Sequence, residues 1–178
     1  MKSKLRKEFL NLRKEMSSSS HLLYSNEICK KVVSLIEKYD FNKIALYSPF
    51  KNEVDVTSLI RYFLKDKKVL LPYIKDKKMY FSRIKDLDDL ELGSYNILKP
   101  KSFKPENDFE ICIVPGVAFN EDKYRLGYGG GFYDRYFEVK NNTLLIGVFF
   151  ELQKTSIKFE TFNDITLDYI ITEKNIYN

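Results

Sequence analysis

The chain is short of the residues that most enzymes use for acid–base and zinc chemistry. It has one histidine, His21, which reads as part of a serine-rich linker. A Ser-His-Asp triad has no better-placed histidine to draw on, and the same scarcity argues against a zinc site. The two cysteines, Cys29 and Cys112, stand in apolar surroundings and read as reduced core thiols. No apolar run is long enough to span a bilayer, and the charged start carries no signal-peptide pattern. A cytoplasmic protein without a membrane partner is expected. The net charge of +5 comes with no nucleic-acid-binding motif, so no nucleic-acid partner is expected either. The scattered lysines read as a solvated surface, or as attraction for anionic small molecules such as nucleotides and polyglutamates.

Glycine is scarce as well, and that makes its placement informative. The chain has seven glycines, and four of them fall between positions 127 and 131. Each costs about 0.5–1 kcal/mol relative to alanine in a regular element. The stretch reads Arg125-Leu126-Gly127-Tyr128-Gly129-Gly130-Gly131-Phe132-Tyr133-Asp134-Arg135-Tyr136. It follows an apolar run, Ile111 to Val114, closed by Pro115-Gly116. Such a loop exposes successive backbone N–H groups that cradle phosphates, especially where a helix begins, and Phe132 to Phe137 can start one. Arg125 and Arg135 bracket it as candidate clamps for phosphate oxygens or for an acidic substrate. Asp134 stands where a magnesium ligand belongs. The loop is neither a Walker A sequence nor G-x-G-x-x-G. The competing reading is a surface glycine hairpin.

Around this stretch the pattern alternates helix and strand. Leu5, Phe9, Leu12 and Met16 mark one face of a helix over residues 2–16, with Lys2, Lys4, Arg6, Lys7, Arg13 and Lys14 around it as a solvated basic face. Ser17 to Ser20 break it and cap a second helix carrying Ile28, Val32 and Leu35. Ile44–Tyr47 reads as a strand, Thr57 opens a helix, and Val69–Tyr73 reads as a strand ending at its own proline. Met79–Ile84 is expected as an edge strand, residues 85–108 as an irregular connection, and 111–114, 144–149 and 169–172 as core strands. Length and alternation imply one domain over residues 1–178. They also imply an α/β fold, a three-layer α/β/α arrangement with a Rossmann-like, mostly parallel sheet and an N-terminal helical segment. Loops leaving the carboxyl ends of its strands, after Tyr47, Leu71 and Val114, should meet in one crevice. Glu53 and Asp55 lie on the first of these loops, either as ligand contacts or as turn and cap residues before Thr57. Asp164 is either a second metal carboxylate beside Asp134 or a turn residue.

With these pieces in order, the chain resembles the 5-formyltetrahydrofolate cyclo-ligase (methenyltetrahydrofolate synthetase) family over nearly its whole length. The resemblance rests on Lys2-Ser3-Lys4-Leu5-Arg6, on Glu53 to Thr57, and on Leu71-Pro72. It rests above all on Val114-Pro115-Gly116-Val117-Ala118-Phe119 with Arg125 to Asp134. Ile146 to Phe150, Asn163-Asp164 and Thr172-Glu173 complete it. Many relatives carry His where Asn163 stands and Glu where Lys99 precedes Pro100. The family's reaction is an ATP-dependent cyclisation of 5-formyltetrahydrofolate to 5,10-methenyltetrahydrofolate, releasing ADP and phosphate through phosphorylation of the formyl oxygen. The resemblance implies ATP as co-substrate with Mg2+ as cofactor, a folate with or without a polyglutamate tail, and a monomer. It implies Arg125 and Asp134 as catalytic residues. It implies ATP contacts from Lys2, Ser3, Lys4, Leu5, Arg6, Arg125, Leu126, Gly127, Tyr128, Gly129, Gly130, Gly131, Phe132 and Tyr133. Folate would meet Ser48, Glu53 and Tyr128 to Phe132, and the metal Asp134 and Asp164.

Overall fold

The structure, a computed structural model, describes residues 1–139 and 142–178. Four α-helices are present among them: α1 (Lys2–Glu15), α2 (Ser18–Ile36), α3 (Thr57–Phe63) and α4 (Phe132–Tyr136). The strands are β1 (Lys43–Ala45), β2 (Lys68–Lys75), β3 (Lys78–Ile84), β4 (Leu90–Leu92), β5 (Leu98–Pro100) and β6 (Ile111–Val114). They continue with β7 (Ala118–Asn120), β8 (Arg125–Leu126), β9 (Leu144–Val148), β10 (Lys154–Thr155), β11 (Tyr169–Ile171) and β12 (Ile176–Tyr177).

Seven strands form the main sheet in the order β12-β11-β9-β6-β1-β2-β3. The five inner strands run parallel, and an antiparallel strand closes each edge. The fold is therefore α/β with a mostly parallel sheet. Strand residues point alternately to opposite faces. Ile44, Ile111, Ile113, Ile146 and Ile171 thus pack under α2 and α3. Ala45, Cys112, Val114, Leu145 and Ile170 face the other way, toward Phe81, Phe109, Phe137 and the rings of α4. The second helical layer is thin because α4 has only five residues. Aromatic side chains fill what a longer helix would cover.

Two expectations are corrected here. β2 does not stop at its proline: Pro72 pairs with Phe81, and the strand continues to Lys75. Its other neighbour β1 pairs only as far as Leu70, so Pro72 sits where one flank of the strand is open and a proline is tolerated. The connection 85–108 is not wholly irregular, since β4 and β5 form a short antiparallel ladder. Ser17 caps α2 as its sequence predicts, its Oγ accepting from Ser20 N at 3.2 Å.

Candidate functional site at the carboxyl ends of the central strands

Helix α1 places the first basic groups. Its buried face is Leu5, Phe9 and Arg13, a four-residue spacing, whereas Leu12 is 40% exposed. Leu5 and Phe9 pack on Val117, Ala118 and Leu126, the residues flanking the turn that leads into the glycine loop. This docking carries Lys2 and Arg6, one helical turn apart, to that loop. Arg6 Nε donates to Gly127 O at 2.7 Å. Lys2 Nζ meets Asp164 Oδ2 at 2.5 Å. Ser3 and Lys4 are exposed, and Leu5 serves the core. Arg13 does not belong to a solvated basic face: it is 1% exposed.

The loop itself needs glycine where its backbone turns left-handed. Gly129 has φ +106° and Gly131, at the amino end of α4, has φ +60°. The guanidinium carbon of Arg6 would lie 3.5 Å from a Cβ at Gly129, and Arg135 Nη1 2.8 Å from one at Gly131. Arg125, on β8, is buried with its Nη2 3.2 Å from Asp134 Oδ1. That contact is electrostatic, because Arg125 Nε and Nη2 have no hydrogen-bond partner among the described residues. Tyr133 packs its ring 5.1 Å from the Arg125 guanidinium carbon. Leu126 is core, and Phe132 lies 5.2 Å from the Arg135 guanidinium.

Asp134 reaches the backbone of the segment that carries Asp164. Asp134 Oδ1 accepts from Ile165 N at 3.3 Å, one residue beyond Asp164. Asp164 Oδ2 also accepts from Thr161 N and Oγ1 at 2.6 and 2.9 Å. Partial burial works against its charge, but Lys2 and Thr161 outweigh it, and the carboxyl is held below its ordinary range. No group of three or more His, Cys, Asp or Glu that could hold a metal occurs among the described residues.

The loop after β1 forms the opposite wall. Lys51 and Asn52 adopt φ +46° and +57°, and Tyr47 Oη, donating to Val54 O at 2.7 Å, fastens the bend. Glu53 is buried and its Oε2 accepts from Phe50 N at 2.9 Å. Burial pushes its carboxyl up to about 7, against the pull of Arg13, the Phe50 N–H and the Tyr128 hydroxyl. Ser48 Oγ is buried and has no hydrogen-bond partner among the described residues. Asp55 does not accompany Glu53 into the site. Its Oδ1 accepts from Thr57 N at 2.9 Å and fixes the start of α3.

Sequence reasoning misses two neighbours of the site. His21 lies in α2, not in a linker, with Nε2 2.8 Å from Glu53 O. Arg13 donates from Nη2 to Tyr128 Oη and to Lys51 O. The signal for Arg13 is its four-residue spacing from Leu5 and Phe9. His21 gives none.

The model of the 5-formyltetrahydrofolate cyclo-ligase family matches residues 1–173. The chain is 31% identical to a 5-formyltetrahydrofolate cyclo-ligase of Mycoplasma pneumoniae, covering 97% of this chain and 99% of that one. A Haemophilus influenzae protein of the same name is 29% identical, with 83% of each covered. Among solved structures, the NMR structure of Aquifex aeolicus 5,10-methenyltetrahydrofolate synthetase superposes with a TM-score of 0.89 at 34% identity. It covers 99% of this chain and 92% of that one. With residues 1–173 matched and the fold shared, the chain belongs to the 5-formyltetrahydrofolate cyclo-ligase family of ligases.

Proposed function

We propose that the protein uses ATP to cyclise 5-formyltetrahydrofolate to 5,10-methenyltetrahydrofolate, with ATP on the α1 and glycine-loop side and folate on the side of Ser48 and Glu53. The observation that carries this assignment is a set of unspent polar groups. Of the four buried side-chain nitrogen and oxygen atoms without a hydrogen-bond partner among the described residues, three belong to Arg125 and Ser48. A buried polar group left unpaired costs about 1–3 kcal/mol, so these residues, one on the loop after β1 and one on β8, fit a site that a ligand completes.

The chemistry asks for little acid–base machinery. The formyl oxygen attacks the γ-phosphorus, the bond to the β-phosphate oxygen breaks, and ADP leaves. The second folate nitrogen then attacks the activated carbon, the carbon–oxygen bond breaks, and inorganic phosphate and one proton depart. Phosphoryl transfer of this kind is catalysed by positioning and charge neutralisation. Arg125, Arg6 and Lys2 supply cations for the phosphates, and the N–H groups of the glycine loop supply donors. Glu53, sharing its proton near neutral pH, orients the pterin by hydrogen bonding. Asp134 and Asp164 fit magnesium, which commonly takes one or two carboxylates together with substrate phosphates and water. When bound, the ion would neutralise charge on the transferring phosphoryl group. Both carboxylates already face cations, Arg125 and Lys2, which suits a site where phosphates draw those cations away.

The test is an absorbance assay with 5-formyltetrahydrofolate, ATP and magnesium, following the near-ultraviolet band of the methenyl product. The expected result is growth of that band only with ATP present. No growth from folded protein would refute the reading.

A further inference from the structure

We propose that Arg13 is a positioning residue for the cyclisation, its guanidinium locking the turn that carries Glu53 to the glycine loop so that both ligand sides share one register. The inference rests on the function proposed above and adds a residue to it.

The fork of Arg13 reaches three separate segments. Nε and Nη2 both donate to Lys51 O, at 3.1 and 2.7 Å. Nη1 donates to Gly116 O at 3.1 Å, just past the end of β6. Nη2 also donates to Tyr128 Oη inside the glycine loop. Arg13 thus joins α1, the turn after β1, the end of the central strand and the loop. Lys51 and Asn52 are not glycines, yet both hold left-handed φ values. A turn of that kind persists only when its surroundings over-determine it. The doubly bonded Lys51 carbonyl, the Phe50 N–H held by Glu53, and Glu53 N donating to Phe50 O at 3.0 Å do so here.

Packing alone does not require an arginine at this place. Leu5 and Phe9 already dock α1, and burying a guanidinium is costly where an apolar residue would serve. What only the fork provides is planar donors aimed at several acceptors at once. A lysine ammonium would keep the charge but not that geometry. Arg13 touches neither of the proposed ligands. It acts through Tyr128 and through the Glu53 turn, whose separation sets how the formyl oxygen meets the γ-phosphate.

The test compares the parent with Arg13→Lys and Arg13→Ala, each checked for folding by circular dichroism and thermal melting. In Arg13→Lys, kcat should fall about 100-fold, as misplacement by an ångström does. KM for ATP should stay within about 3-fold of the parent. In Arg13→Ala, millimolar guanidinium should restore about 10-fold of the lost kcat, a rescue that a merely structural role would not produce. Parent-like kcat in folded Arg13→Lys, a loss confined to KM for ATP, or no rescue would overturn the proposal, as would failure of Arg13→Lys to fold. Amide hydrogen exchange separates this failure from that of the function itself. In Arg13→Lys, exchange at residues 50–53 and 127–131 should accelerate together, whatever the parent turns over. If neither segment changes, the coupling is refuted even in an active enzyme.

Discussion

Lys2 and Asp164, 162 positions apart, meet at 2.5 Å across the mouth of the site. Their side chains are 27% and 14% exposed, so the pair contributes at most about 1 kcal/mol to stability. Its importance is predicted to lie in ligand binding. Lys2→Met should raise KM for ATP about 10-fold and Asp164→Asn the magnesium requirement about 10-fold. Melting temperatures should move by no more than about 4 °C. Kinetics at varied ATP and magnesium, beside thermal melts, check both halves. A large loss of stability with unchanged kinetics would make the pair a clasp for α1 and nothing more.

Arg125 carries two of the three buried side-chain nitrogens that lack a hydrogen-bond partner among the described residues. Arg125→Lys keeps a charge beside Asp134 but gives up the planar fork. It should raise KM for ATP by about 10-fold or more and leave KM for folate within about 3-fold. Arg125→Ala should be worse, since Asp134 loses its cation. Steady-state kinetics with each substrate varied in turn decide the matter, and equal effects on both substrates would remove Arg125 from the phosphate side.

Much of this is legible in the sequence, for reasons tied to particular residues. The runs 111–114 and 144–148 are apolar because both faces of the inner strands are covered, so they announce themselves. The glycine loop is legible because left-handed backbone at Gly129 and Gly131 demands that residue. The small sheet of β7, β8 and β10 is not, because its strands are two or three residues long and leave no periodic trace. Arg13 is misread because a charged side chain at the third position of the series Leu5, Phe9, Arg13 suggests a solvent-facing site. Only tertiary contacts with Lys51, Gly116 and Tyr128 reveal why it is buried. His21 stands among serines that suggest a linker, but those serines start α2 and carry the ring inward against Phe150.

Gly129→Ala isolates the backbone's share of the loop. A Cβ at Gly129 would meet Arg6 only at ordinary contact distance, 3.5 Å, so sterics with neighbours are mild. The penalty comes from φ +106°, and left-handed backbone costs an L-residue about 1–2 kcal/mol. The expected result is a fall in melting temperature of about 3–8 °C, with a larger proportional loss of kcat than of stability. Unchanged kcat at a reduced melting temperature would mean that the loop's geometry matters for folding and not for turnover.

Glu53 yields a prediction whose sign is set by its buried carboxyl. Burial raises it from 4.5 to about 7, so between those values the folded protein holds a proton that the unfolded chain has lost. Stability from this group is complete below pH 4.5 and declines as pH rises through 7, by about 3 kcal/mol in all. The surrounding groups do not confuse the window. The Tyr128 hydroxyl is pushed up to about 12, and burial pushes those of Tyr47 and Tyr133 well up. His21 meets the backbone carbonyl of Glu53, which the substitution leaves in place. Glu53→Gln retains an oxygen to accept from Phe50 N and cannot ionise. Its melting temperature should therefore lie close to that of the parent at pH 5 and exceed it by about 5–10 °C at pH 8. Thermal melts of both proteins from pH 5 to pH 8 make the comparison, and a constant gap would place the carboxyl in its ordinary range. The same variant should raise KM for folate about 10-fold with KM for ATP nearly unchanged. Replacing a carboxylate whose charge is costly when buried with an amide that still accepts from Phe50 N should leave a more stable protein that binds its substrate worse.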